Sequence, residues 1–119
     1  MFVNLSNHPS MKWSRKQLEE AKKYGEIIDI DFPQIAPNLS EEELEKLVDQ
    51  YEKKIAVLDE PVVMLQGEYV FTYRLVERLK EAGILVLASC TERKVFERCD
   101  EAGKVTKTAV FEFVGFRCY

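Results

Sequence analysis

Hydrophobic positions along the chain fall into short apolar runs, separated by longer stretches in which they recur every three or four residues. The first kind reads as buried strand and the second as amphipathic helix. Met1–Leu5 is a short, largely apolar run, and the polar stretch Ser6-Asn7-His8-Pro9-Ser10 breaks it, so a turn is expected there. Ser14 then stands as a helix N-cap with Gln17 three residues on, and Leu18, Ala21 and Tyr24 keep the apolar spacing until Gly25 stops it. Glu26–Pro33 is rich in β-branched residues and ends in proline, which predicts a second strand followed by a loop over Gln34–Leu39. A second helix is predicted over residues 40–55: Ser40 is its N-cap, Glu43 sits at the capping-box position, and lysines close its last turn.

Pro61–Gly67 is continuously apolar until Gln66, as expected of a central strand covered on both faces. Residues 68–83 return to helical spacing through Val70, Phe71, Leu75, Leu79 and Ala82, and Ile84–Cys90 is a second fully apolar run. Together they form a β-α-β crossover, expected to be right-handed. After Thr91 come "KVFERC", the turn-forming "DEAGK" and "VTKTAVFEFVGF", in which Thr106, Thr108 and Val110 alternate with Lys107, Ala109 and Phe111. An antiparallel hairpin added to the sheet is expected. The predicted fold class is therefore α/β: one Rossmann-like domain over residues 1–119, with a mostly parallel sheet, helices on both faces and a C-terminal antiparallel hairpin.

Composition narrows the functional classes. A hydrophobic fraction of 46% in 119 residues suffices for one core. The net charge of −4 argues against a general grip on duplex nucleic acid, while leaving room for a local anion site. Cys90, Cys99 and Cys118 form an odd set without a CxxC pair, and His8 is the only histidine. That combination supports neither a disulfide framework nor a zinc site, so no metal and no cofactor are expected. No basic and apolar leader or membrane-length apolar segment is seen, which predicts a cytoplasmic protein without membrane attachment.

Ligands of open α/β sheets bind outside the carboxyl ends of the strands. Three of those ends carry chemistry here. His8, after the first strand, can act as an acid or base, contact a ligand, or be a solvated turn residue. Gly67 and Glu68 open the third helix, where free N–H groups favour an anion; Glu68 reads either as a carboxylate at the site or as the charge that a helix start prefers. Thr72, one turn on, can reach a ligand or face a loop. The segment "SCTER" gathers Ser89, Cys90, Thr91, Glu92 and Arg93. Arg93 can hold a phosphate or pair with a surface acid, and Cys90 reads as a packed residue because nothing adjoining it stabilises a thiolate. Trp13 either covers the cleft or staples the helix start.

The order of "SNHPS", "IIDIDFP", "VMLQGEYVFTYRLVERLKEAGI", "LASCTER" and a terminal hairpin resembles the small stand-alone CRISPR-associated proteins of type III loci, related to the CARF and ring-nuclease Rossmann-like superfamily. The resemblance implies antiviral defence through binding of a cyclic oligoadenylate across a homodimer interface. It further implies metal-independent linearisation, in which the ligand's own 2′-hydroxyl attacks the adjacent phosphate. Carried onto this chain, Asn7, His8 and Ser10 match the first-strand loop, while Gly67, Glu68 and Thr91–Arg93 flank the ring. The catalytic Lys or Ser motif of the better-known ring nucleases has no counterpart here. His8 and Arg93 are the catalytic candidates; Asn7, Ser10, Gly67, Glu68, Thr72, Ser89 and Thr91 are the ligand-binding ones.

Three other classes fit the same sequence. One is a nucleotide-binding or sequestering module without catalysis. Another is a different small Rossmann-like enzyme acting on phosphoesters or using Cys90. The last is a structural subunit whose apolar "VFEFVGF" segment pairs with another chain.

Overall fold

In the computed structural model, which describes residues 1–119, the apolar runs become strands: β1 (Phe2–Ser6), β2 (Ile27–Asp29), β3 (Val62–Gln66), β4 (Leu85–Cys99) and β5 (Val105–Cys118). The amphipathic stretches become α1 (Arg15–Lys22), α2 (Glu41–Ala56) and α3 (Tyr69–Glu81), with one 3-10 turn over Ser10–Lys12. A single five-stranded sheet has the order β2-β1-β3-β4-β5. Pairs β1–β2, β1–β3 and β3–β4 are parallel, and β4–β5 is antiparallel. The α/β class, the mostly parallel sheet and the terminal hairpin thus follow the sequence-based expectation.

Strand alternation explains why the central runs are apolar at every position. Val3, Leu5, Val63, Leu65 and Val86 point to one face, where Leu44, Val48 and Ile55 of α2 and Phe71, Leu75 and Leu79 of α3 bury them. Phe2, Met64 and Leu87 point to the other face, against Ala21 of α1 with Trp13 and Phe116 around them. Residues covered on both sides lose water on both sides, which selects apolar side chains throughout. Ser14 and Ser40 cap α1 and α2 by accepting from the N–H groups of Gln17 and Glu43 at 3.2 and 3.1 Å. Arg74 and Arg78 of α3 tie that helix to Glu41, Glu45, Asp49 and Glu52 of α2, and these carboxylates raise the pKa of both guanidinium groups. At Gly25 the backbone takes φ +127°, and a Cβ there would lie 2.8 Å from the N-terminal nitrogen of Met1.

Two boundaries differ from expectation. The second strand pairs over three residues only, Ile27–Asp29, because Asp31–Pro33 lead into the loop before α2. The hairpin is also no separate addition: β4 runs through Thr91 without a break and supplies the first arm itself. No glycine or proline interrupts Leu85–Cys99, so nothing in the backbone ends the strand. A bulge near Cys90 and Thr91 leaves Val114 as the extra residue on β5. It keeps Phe113 and Phe116 on one face despite their odd spacing, with their rings 5.0 Å apart. Beyond the bulge the ribbon leaves the body. The radius of gyration is 17.6 Å and the longest extent 58 Å, against about 13.5 Å expected for the radius of a compact chain of this length.

Candidate functional site

Strand order reverses between β1 and β3, and their carboxyl ends open onto a cavity of about 460 Å³. The loop after β1 is shaped by Asn4, a buried amide inside an otherwise apolar strand. Its Nδ2 donates to the His8 carbonyl at 2.8 Å and to Asp29 Oδ1 at 3.0 Å, and its Oδ1 accepts from Ser6 Oγ at 2.7 Å. Trp13 Nε1 donates to the same His8 carbonyl at 3.1 Å, and Ser10 donates to Asp29 Oδ2 through both its N–H and its hydroxyl. The backbone of His8 is therefore held from several sides, while its exposed imidazole makes no hydrogen bond within the chain and borders the cavity. Burying Asn4 without these partners would leave polar atoms desolvated and unpaired, so the network also fixes the loop's position.

On the opposite wall, β3 ends at Gln66, whose Oε1 accepts the N–H of Ser89 at 2.8 Å, bridging two strand tips that no longer pair through the backbone. Gly67 follows. A Cβ at this position would sit 2.1 Å from Phe32 Cζ, so the packed Phe32 ring requires glycine there. Ser89 and Thr91 of β4, then Phe111 and Phe113 of β5, complete the rim.

The lining has a distinctive chemistry. Lys12 and His8 are its only basic side chains, and it contains no carboxylate, although the chain carries 21 Asp and Glu residues. Hydroxyls come from Ser6, Ser14, Ser89 and Thr91, amides from Asn7, Gln17 and Gln66, and rings from Trp13, Phe111 and Phe113. The nearby acids Asp29 and Asp31 line a separate recess of about 280 Å³ that shares only Ser6 and Asn7 with the first. A cavity of this size, with mixed aromatic and hydrogen-bonding walls and no negative charge, suits an anion that carries flat rings.

The structure brings together five of the residues expected from sequence: Asn7, His8, Gly67, Ser89 and Thr91. Four others stand elsewhere. Ser10 is engaged with Asp29. Glu68 caps α3, its two carboxylate oxygens accepting from the N–H groups of Val70 and Phe71 at 2.6 and 3.1 Å. Of the two readings of Glu68, its geometry matches the charge that a helix start prefers: the carboxylate itself takes the Val70 and Phe71 N–H groups that an anion would use. Thr72 lies buried one turn into α3, its hydroxyl without a hydrogen-bond partner and outside the cavity lining. Arg93 is exposed on the projecting hairpin, paired in register with Phe111 and beyond the lining residue Thr91. Cys90, between Ser89 and Thr91, points to the other face of the ribbon by strand alternation.

Sequence reasoning missed Lys12, Gln17, Phe111 and Phe113 as lining residues, and Asn4 and Asp29 as supports; Gln66 was legible only as the end of its strand. Asn4 and Gln66 carried a signal, since each is an amide inside or at the end of an apolar run. The two phenylalanines carried none, because only the β4–β5 register brings them to the β1 loop.

A family model described as "Uncharacterized protein MJ1673 family" matches residues 1–117, and the chain belongs to that family. No curated protein matches it.

Proposed function

We propose that this member of the MJ1673 family is a cytoplasmic, CRISPR-associated protein of the CARF and ring-nuclease-like Rossmann superfamily, and that it binds a cyclic oligoadenylate as a homodimer. The observation that carries this reading is the carboxylate-free cavity at the point where strand order reverses, with Lys12, His8 and three aromatic rings in its wall. Adenine rings stack on Trp13 and the phenylalanines, amides read base edges, and Lys12 neutralises a phosphate. In this reading Lys12 takes the phosphate-binding role that the sequence suggested for Arg93. Each copy of the homodimer offers one such cavity to a ring.

Cleavage is the further step. The ligand's 2′-oxygen attacks the neighbouring phosphorus, the bond to the 5′-oxygen breaks, and a 2′,3′-cyclic phosphate and a free 5′-hydroxyl result. His8 takes the 2′-hydroxyl proton or delivers one to the leaving 5′-oxygen, and Lys12 stabilises charge on the phosphoryl oxygens. A second reading, a module that holds the nucleotide without cutting it, is favoured by one feature: no neighbouring group hydrogen-bonds the His8 ring to fix its tautomer.

The test is incubation with cyclic tri-, tetra- and hexa-adenylate, read by thermal shift for binding and by mass spectrometry for linear product. A bound ring raises the melting temperature by mass action. Lys12→Ala is expected to weaken binding about ten- to hundred-fold. His8→Ala is expected to lower turnover by about 10²–10⁴ with affinity nearly unchanged. No thermal shift with any of the rings removes the proposal; a shift without product leaves the sequestering module. Loss of cleavage in EDTA would overturn the metal-independent step.

A further inference from the structure

Beyond Leu87 no strand pairs with β4 on its β3 side, because β3 ends at Gln66 and the chain turns away into α3. Ser89 is still capped by the Gln66 side chain, so the open edge runs from about Cys90 to Cys99, where the hairpin turn begins. An open edge of this length is a template for another strand. The outer edge of β5 is open as well, and the charge pattern distinguishes the two.

We infer that the free edge of β4 pairs antiparallel with the same edge of a second copy, about a two-fold axis at Val95. Residues equally distant from Val95 then stand opposite one another. Glu92 meets Arg98 of the partner subunit, and Arg93 meets Glu97 of the partner subunit. Symmetry repeats both contacts, so every cross-strand ionic neighbour is of opposite sign. Within one chain Lys94 pairs with Glu112 at 2.8 Å and Glu97 with Lys107 at 3.5 Å, whereas Glu92, Arg93 and Arg98 enter no ion pair. The pairing supplies partners for all three.

A second observation selects the same centre. The open stretch Cys90–Cys99 lies clear of the Gln66 cap at one end and of the turn at the other, and its centre falls between Lys94 and Val95, within half a residue of the same axis. β5 offers no equivalent. A two-fold axis normal to the sheet keeps each residue on its own face, and Lys107 and Glu112 lie on opposite faces of their strand, so it can never bring them together. The partner is therefore another copy of this chain, and the contact is a continuous four-stranded ribbon. It also carries the hairpin turn of the partner subunit to Ser89 and Cys90, beside the rim of the cavity, so that each site gains a wall from the other copy.

This pairing does not depend on the nucleotide reading, and ligand-free protein tests it alone. Sedimentation should show a dimer at micromolar concentration. Glu92→Arg and Arg98→Glu, each placing like charges opposite each other twice, should each raise the dissociation constant about ten-fold or more, and the double variant should return close to the native value. In a background with Cys90, Cys99 and Cys118 replaced by Ser, Val95→Cys should cross-link on oxidation, because each copy presents that residue to the other at the axis. Ala109→Cys, on β5, should not. A monomer at tens of micromolar, a dimer indifferent to either reversal, a double variant no better than the singles, or cross-linking through Ala109 in place of Val95 would overturn the inference.

Discussion

The two halves of β4 live in different surroundings. At Val86 and Leu87 the strand has β3 and β5 on its flanks and side chains packed over both faces, and both residues are buried. From Thr91 to Glu112 the ribbon meets the body only where Thr91 and Phe111 reach the cavity rim: Lys94 alone is half-buried and every other residue is exposed, Phe96 and Phe111 included. A two-stranded ribbon in water is marginal on its own, whereas a covered parallel sheet is not. The body is therefore where the chain's stability resides, and the arm is held by continuity with β4 and β5. That division explains how the arm can carry unpaired charges and exposed rings at little energetic penalty to the fold.

Breaking the body should have the largest effect. Phe71 is fully buried and sits edge-on to Phe32 and Tyr51, with ring centroids 5.3 and 5.5 Å away. Phe71→Ala should lower unfolding stability by about 3–5 kcal/mol in a denaturant titration, through lost burial and the cavity left behind. Phe111→Ala on the arm, measured at concentrations too low for association, should stay within about 0.5 kcal/mol. Equal effects at the two positions would erase the distinction.

Gly67→Ala comes next. Its Cβ would overlap the Phe32 ring, and overpacking of this kind costs about 1–3 kcal/mol. A neutral outcome would mean that Phe32 moves freely, contrary to the packing described for this wall.

Replacing Glu92–Glu112 by a two-residue turn should shift the body's melting temperature by only a few degrees, about 1 kcal/mol at this chain length, while abolishing association. Collapse of the fold would show instead that the arm supports the body.

The smallest effect is at alkaline pH. Burial raises the pKa of both Tyr51 and Tyr119, and each hydroxyl donates to a backbone carbonyl, of Asp31 at 3.0 Å and of Leu65 at 2.7 Å. The unfolded chain then loses these protons first as pH rises. Their contribution is present in full below the ordinary tyrosine pKa of about 10 and declines as pH climbs from there through the raised folded values. Tyr119→Phe should lower neutral-pH stability by about 1 kcal/mol and flatten part of that alkaline decline. An unchanged alkaline profile would show that the hydroxyl titrates as freely folded as unfolded.

Much of the fold could be read from local pattern. The caps Ser14 and Ser40, the stop at Gly25 and the double-faced apolar runs at Val62–Leu65 and Leu85–Leu87 are short-range signals, and each element formed where its signal lay. The hairpin rows were legible too, Lys107, Ala109 and Phe111 sharing one face. The site was legible where it follows a strand end directly, as at Asn7, His8, Gly67, Ser89 and Thr91, and in the reading that set Trp13 over the cleft. Glu68 could be read two ways because helix-start chemistry looks alike whether a helix binds an anion or caps itself, and the choice depends on where one carboxylate turns; Thr72 is buried inside α3, which its place one turn into the helix did not reveal.

Periodicity, capping residues and turn chemistry thus determined by themselves which segments become strands and helices, since those preferences act over four or five residues. Tertiary structure decided what lies opposite what. The order β2-β1-β3-β4-β5 set the cavity at the β1 and β3 tips, the β4–β5 register carried Phe111 and Phe113 to residues near the N-terminus, and the end of β3 at Gln66 left the far half of β4 open. Contacts between residues some hundred positions apart follow from strand order and register, and no local preference in the sequence encodes either.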